Sequence, residues 1–187
     1  MLQNTQSGRS MMEMLGVLAI IGVLSVGGFG MVQKMRTTYN ANKVIDEISE
    51  LSRKVRIVAR DFSGSASDSM NSYVRDAKAY PEGLEGTGTA VFSGADGVNY
   101  SVTYQGSDYV LFTITATNVP EDVCMQIVTS DWGSNATSGF RGLTVGGASS
   151  AVNTSLANGT AVSSKPMSIG SAASSCSDGT TIHMSFR

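Results

Sequence analysis

The sequence predicts an α+β protein in which a long N-terminal α-helix packs on an antiparallel β-sheet. Three observations predict this class. Segment 11–32 is mostly apolar, and Glu13 is the only ionisable residue among its 22 residues. A helical repeat of apolar residues then continues to Phe62 with no proline. After residue 63, short segments of alternating apolar and polar residues are separated by turns rich in Gly, Ser and Asp.

Segment 11–32 has the length and polarity of a helix that crosses a bilayer, because about 20 apolar residues at ~1.5 Å rise span the hydrocarbon. Glu13 lies near its start. An ionised carboxylate at mid-membrane costs at least ~2.5 kcal/mol, so it is retained only near the interface or beside a partner. From the residues alone, Glu13 is either the interfacial residue of an ordinary anchor or a carboxylate with a partner.

The second half of the predicted helix is amphipathic, because apolar residues recur at spacings of three and four. These residues are Val44, Ile45, Ile48, Leu51, Val55 and Val58. Charged residues such as Glu47, Glu50 and Arg53 fill the intervening faces. One helix of about 50 residues is therefore predicted over residues 11–62, and it ends at Ser63-Gly64-Ser65.

The N-terminus combines a short polar leader ending in Gly8, a glutamate at the fifth position after it, and the apolar run. This pattern resembles a type IV prepilin. The resemblance implies that a membrane peptidase cuts between Gly8 and Arg9 and that Arg9 becomes the methylated N-terminus. It also implies that Glu13 pairs with the N-terminal amine of a neighbouring subunit. Arg9 departs from the apolar first residue usual in the family; a cut before Met11 would restore one but make Glu13 the third residue.

The leader does not have the pattern of an ordinary secretory signal. Residues 1–8 carry no charged side chain, and no Ala-x-Ala site follows the apolar run. We therefore expect the apolar helix to remain in the mature chain.

The remainder of the chain predicts a sheet with short helices. A short helix is expected within residues 69–79, and a second one near 118–128 with Asn118 as its cap. Pro120 suits the first turn of that second helix. Strands are expected at residues 89–92, 99–105 and 109–117 as a meander, then at 140–145, with 180–186 as a central last strand. Residues 147–174, rich in Ser, Ala, Gly and Asn, predict an exposed loop.

The two cysteines, Cys124 and Cys176, lie in the C-terminal part of the chain. An even count in an exported domain predicts a disulfide, and two unlinked thiols are the alternative. The segment Val119-Pro120 followed by Cys124 also resembles type IVb pilins, in which such a segment opens a disulfide-bounded region. The resemblance implies a pilin fold: a long N-terminal helix packed on an antiparallel sheet, with a C-terminal disulfide-bounded loop.

Composition and motifs favour no catalytic or nucleic-acid function. The net charge is −2, with 15% charged residues and no basic run. There is no GxSxG, P-loop or HExxH motif. His183 has no ligand-spaced neighbour, so we expect a structural role and no metal, cofactor or enzyme activity. Asp61, Asp68 and Asp76 are expected to be solvated groups.

These expectations combine into a structural subunit of a type IV pilus. Residues 1–8 would be the leader, 9–32 the transmembrane and filament-core half of the helix, 33–62 its amphipathic half, and 63–187 the globular head. The implied partners are copies of itself, the prepilin peptidase and an assembly platform in the bacterial inner membrane, where the subunit waits before joining an extracellular filament. The alternatives are a minor pilin or a secretion pseudopilin, and a membrane-anchored binding domain that never polymerises.

Overall fold

The structure is a computed structural model that describes residues 7–87, 91–106, 111–132, 139–146 and 167–187. Within these ranges the chain forms helices and one antiparallel sheet, which confirms the predicted α+β class. The α-helices are α1 (Ser7–Ala59), α2 (Asn71–Asp76), α3 (Glu121–Thr129) and α4 (Ile169–Ser175), and a short 3-10 helix covers Ala95–Gly97. The strands are β1 (Glu85–Thr87), β2 (Val91–Ser93), β3 (Asn99–Tyr104), β4 (Phe112–Val119), β5 (Phe140–Val145) and β6 (Thr180–Phe186).

The chain divides into two compact units, an N-terminal unit (Met1–Tyr39) and a C-terminal unit (Asn40–Arg187). In the N-terminal unit the described residues belong to α1. No helix formed by the described residues is both long enough and apolar enough to cross a membrane, so the transmembrane helix predicted over 9–32 is not found among them. In that range the side chains of residues 11–23, 25, 31 and 32 are described.

In the C-terminal unit, α1 buries one stripe of apolar side chains. The fully buried members are Ala41, Val44, Ile48, Leu51, Val55 and Ala59. Their spacing of three and four residues is that of one helix face, and Ile45 and Val58 pack partly buried beside them. The helix ends at Ala59, close to the predicted end, and the amides of Asp61 and Phe62 bond the carbonyls of Val58 and Ala59.

The sheet has the strand order β1-β2-β3-β4-β6-β5, and every neighbouring pair is antiparallel. The predicted meander is β2 to β4. The last strand, predicted to be central, lies inside the sheet between β4 and the edge strand β5. Residues 89–90 and 109–110 of the predicted strands lie outside the described residues. Buried side chains of the sheet, including Tyr100, Val102, Phe112, Ile114 and Met184, form one hydrophobic cluster with the α1 stripe.

The structure corrects two predictions about the C-terminal third. Asn118 does not cap α3: it has a positive φ of 60°, and its Nδ2 donates to the carbonyl of Gly97 (3.0 Å). Pro120 occupies the cap position instead. Helix α4 begins inside the predicted loop 147–174 and ends one residue beyond it. Its first turn is capped by Ser168, whose Oγ accepts from the Ser171 amide. Residues 147–166 of that loop lie outside the described residues.

Candidate assembly surface

The N-terminal part of α1 exposes apolar side chains on every side of the helix. Between residues 11 and 23, the exposed fractions of the large apolar side chains run from 52% to 78%. They belong to Met11, Met12, Met14, Leu15, Val17, Leu18, Ile20, Ile21 and Val23. We name residues 11–23 the apolar segment. Leaving apolar surface in water costs about 25 cal/mol per Å², and a helix that is apolar all round is normally buried.

Glu13 interrupts the apolar segment near its start. Its side chain is exposed between those of Met12 and Met14, and it forms no ion pair with any described residue. Gly8 and Arg9 lie in the first turn of α1, which begins at Ser7. The predicted cleavage, methylation and pairing involve a peptidase and a second subunit, so all three stay predictions.

The disulfide predicted between Cys124 and Cys176 is present, with a Cα–Cα distance of 5.8 Å. It joins the buried face of α3 to the residue that ends α4. The covalent link holds these two short helices together at one end of the sheet. The expectation of a C-terminal disulfide-bounded region is confirmed.

Glu47, which the sequence places on a face between the apolar residues, is buried. Its side chain is only 8% exposed, because position 47 falls beside Val44, Ile48 and Leu51 on the buried stripe. One carboxylate oxygen accepts from the hydroxyl of Tyr100 (2.9 Å), and both oxygens lie 3.1–3.2 Å from the amide nitrogen of Ala95. The Glu47 carboxylate therefore links α1 by hydrogen bonds to strand β3 and to the connection between β2 and β3.

Gly94 and Tyr100 enclose the Glu47 carboxylate tightly. A Cβ on Gly94 would overlap the Glu47 carboxylate and the Tyr100 ring, so this position requires glycine. Burial, followed by the charge of Glu47 and its hydrogen bond, raises the pKa of the Tyr100 hydroxyl above its usual value. The hydroxyl therefore stays protonated and keeps donating to the carboxylate. The helical spacing of position 47 is the signal by which the sequence could have revealed this contact.

The histidine and the three aspartates considered from the sequence are buried in the sheet and exposed to solvent, respectively. His183 lies on β6 opposite Thr115 of β4. It is 5% exposed, and its Nδ1 is 3.0 Å from the Thr115 hydroxyl. Asp61, Asp68 and Asp76 are exposed as predicted, and Asp68 accepts from the amide of Ser65 (2.6 Å).

Most of the chain matches one known protein family. A family model described as PilS N terminal matches residues 37–186, which is most of the chain. No curated protein and no solved structure matches the chain. The match covers the sheet, α3 and the disulfide, and it indicates a pilin-related protein without assigning it to the type IVb class.

Proposed function

We propose that this chain, which belongs to the pilin-related PilS N-terminal family, is a structural subunit of a type IV pilus. The apolar segment carries the proposal, because its side chains are exposed around the whole helix. Copies of the chain could cover this surface by bundling their N-terminal helices into the core of a filament. Once the chain has left the membrane, bundling would keep out of water side chains worth about 1.5–3 kcal/mol apiece when fully buried.

Glu13 gives the proposed bundle its register. A carboxylate moved into an apolar bundle needs a partner, because an unpaired buried charge costs several kcal/mol. We propose that the partner is the N-terminal amine of a neighbouring subunit, generated by cleavage between Gly8 and Arg9 and methylated at Arg9. Assembly would then bury one opposite-charge pair for each subunit added. A subunit with the wrong axial position would leave Glu13 without its partner.

The proposed route begins in the bacterial inner membrane. There, lipid would cover the apolar segment before assembly, and the prepilin peptidase and an assembly platform would act on the chain. The product would be an extracellular homopolymer. The segment Val119-Pro120 followed by Cys124, together with the Cys124–Cys176 disulfide, favours a pilin of the type IVb kind. The proposed role is structural and not enzymatic.

Substitution of Glu13 tests the proposal. We expect Glu13→Ala to abolish filaments recovered by shearing cells, while the amount of chain in the membrane is unchanged. Glu82→Ala is the matched control, because Glu82 is an exposed carboxylate of the C-terminal unit. Intact mass of the sheared protein should show a chain that starts at Arg9 and carries one extra methyl group.

Other results would select the alternatives. Uncut chain found only in membranes would contradict the pilus proposal and leave a membrane-anchored binding domain. Cut chain that joins filaments only in trace amounts, beside another abundant subunit, would indicate a minor pilin. Cut chain in a filament confined to the cell envelope would indicate a secretion pseudopilin.

A further inference from the structure

Charge is divided unevenly along the chain. Residues 1–60 contain eight Lys and Arg but four Asp and Glu, whereas residues 61–187 contain five and eleven. The net charge of −2 therefore conceals a basic helical part and an acidic remainder. Surfaces of opposite sign attract one another and orient the encounter of two molecules.

The positive charge is concentrated at the C-terminal end of α1. Arg53 and Ile57 are both exposed and lie one turn apart on one side of the helix, and Arg60 is exposed just beyond its end. We name these three residues the basic helix face. Neither Arg53 nor Arg60 forms an ion pair with a described residue. Burial and the nearby charge of Arg60 lower the pKa of Arg56, so the cations here lie close enough to repel.

Ile57 is unusual for its surroundings. It is 73% exposed, and Ile169 is the other large apolar side chain that is strongly exposed among the described residues of the C-terminal unit. An isolated exposed apolar residue needs no explanation. An isoleucine placed between two arginines that form no ion pair with a described residue, however, has the composition of an interface with an apolar centre and a charged rim.

A surface of complementary chemistry lies at the start of α3. A shallow, open depression of about 560 Å³ is lined by Asp96, Pro120, Glu121, Asp122, Met125 and Asp178, and we name it the acidic pocket. Its four carboxylates form no ion pair with the described residues. Asp178 accepts from the amide of Glu121 (3.0 Å), so the two sides of the pocket are joined. Among the described residues, no three such side chains are grouped to hold a metal ion.

We propose that the basic helix face of one subunit docks on the acidic pocket of a second copy. Ile57 would contact Pro120 and Met125, while Arg53 and Arg60 would pair with the carboxylates around them. Guanidinium groups suit this role because their planar donors bind carboxylates in pairs. The two surfaces differ, so the contact is heterologous, and repetition of a heterologous contact that does not close builds an open helical polymer. This inference rests on the proposed pilus function.

Charge reversal and exchange test the contact. We expect Arg53→Glu with Arg60→Glu, and separately Glu121→Arg with Asp122→Arg, to lower the yield of sheared filaments about tenfold or more. The chain that carries all four substitutions should recover assembly to within about threefold of the wild type, because the charges are exchanged and not removed. Lys78→Glu and Glu82→Arg are matched controls, since both residues are exposed and lie outside the two surfaces.

The contact would be overturned if either doubly substituted chain assembled normally. It would also be overturned if the chain with all four substitutions failed to assemble while both doubly substituted chains remained folded. Thermal unfolding of each purified chain identifies variants that fail to fold. An absence of filaments from the wild type itself would contradict the pilus function, whereas wild-type filaments with unaffected variants would contradict only the contact.

Cross-linking gives a second measurement that does not depend on charge reversal. Both cysteines are joined in the disulfide and none is free, so introduced thiols are unique. In filaments, Ile57→Cys combined with Asp96→Cys should give a ladder of covalent oligomers with a short bismaleimide, while either substitution alone should not. Filaments of the double variant that give no ladder would overturn the proposal.

Discussion

Glu47 is a buried carboxylate whose two partners, the Ala95 amide and the Tyr100 hydroxyl, both come from outside α1. A buried charge without a nearby cation is normally costly. Here charge-assisted hydrogen bonds offset part of that cost, since such bonds are roughly twice as strong as neutral ones. The carboxylate thereby favours the rotation of α1 that brings position 47 to both donors.

Removal of this carboxylate should destabilise the fold. We expect Glu47→Ala to lower the free energy of unfolding by about 1–3 kcal/mol, because it leaves the Ala95 amide and the Tyr100 hydroxyl without an acceptor. Glu47→Gln should cost less, since its amide oxygen can still accept. Chemical denaturation of the full chain in detergent measures both effects.

Glu50 provides the control for Glu47. It lies one turn away on α1, its side chain is 40% exposed, and it pairs with Lys54 at 2.9 Å. Glu50→Gln should change stability by no more than about 0.5 kcal/mol, as expected for an exposed ion pair. Equal effects at positions 47 and 50 would contradict the anchoring role of Glu47.

Among the elements, the long helix and the central strands follow from periodic patterns in the sequence. Val44, Ile48 and Leu51 repeat with the period of a helix and are buried. Tyr100 and Val102 alternate as in a strand and pack in the core. These elements could be predicted because the same residues that set the local pattern also form the core.

Other elements depend on tertiary contacts and carry little local signal. Strand β1 (Glu85–Thr87) has no apolar alternation and exists by pairing with β2. Helix α4 (Ile169–Ser175) has a loop-like composition, but the Ser168 cap and the disulfide at Cys176 fix its ends. Asn118 adopts a positive φ where the pairing of β4 with β6 shifts register, so it serves the strand end and not the helix. The burial of Glu47 could not be predicted from its residue type either, because it depends on hydrogen bonds to Ala95 and Tyr100.

The disulfide should support α3 and α4 more than the rest of the C-terminal unit. Replacing Cys124 and Cys176 by Ser removes a link across 52 residues. We expect the free energy of unfolding to fall by roughly 4 kcal/mol, since the unfolded chain is no longer constrained. Hydrogen exchange should show the largest loss of protection in α4.

Reduction of the wild-type disulfide is the control for this experiment, and it should give a loss similar to that of the double substitution. The amides of the α1 stripe around Leu51 should keep most of their protection, because side-chain packing holds them. Unchanged protection of α4 in the variant would show that the disulfide does not maintain this helix.

At the scale of the whole molecule, the chain combines a unit with an internal core and a segment with none. The C-terminal unit buries its own apolar stripe and strands. The apolar segment leaves its side chains exposed, so it requires lipid or other subunits to cover it. Stability and assembly should therefore respond to different substitutions.

A polar substitution in the apolar segment tests this separation. We expect Ile20→Asn to reduce filament yield by about tenfold or more, because burying an unpaired amide in an apolar bundle costs several kcal/mol. The unfolding temperature of the C-terminal unit should stay within about 2 °C of the wild type. Filament yield by shearing and thermal unfolding in detergent measure the two effects.

Thr38→Asn is the control, because Thr38 is an exposed polar residue of the same helix. It should leave both the filament yield and the unfolding temperature unchanged. If Ile20→Asn lowered both the filament yield and the unfolding temperature of the C-terminal unit, the separation of the two roles would be contradicted.

The fixed positions of β5 and α4 also bear on how the sequence can change over time. Pairing with β6 holds β5, and the disulfide holds the end of α4, so residues 147–166 connect two anchored points. In general, each doubling of the number of residues between two fixed points of a chain adds only about 0.6 kcal/mol to the entropic cost of closing the loop. Mutation can therefore lengthen or replace the sequence between these two anchored points at a small cost in stability, while the residues that build β5, α4 and β6 remain under constraint.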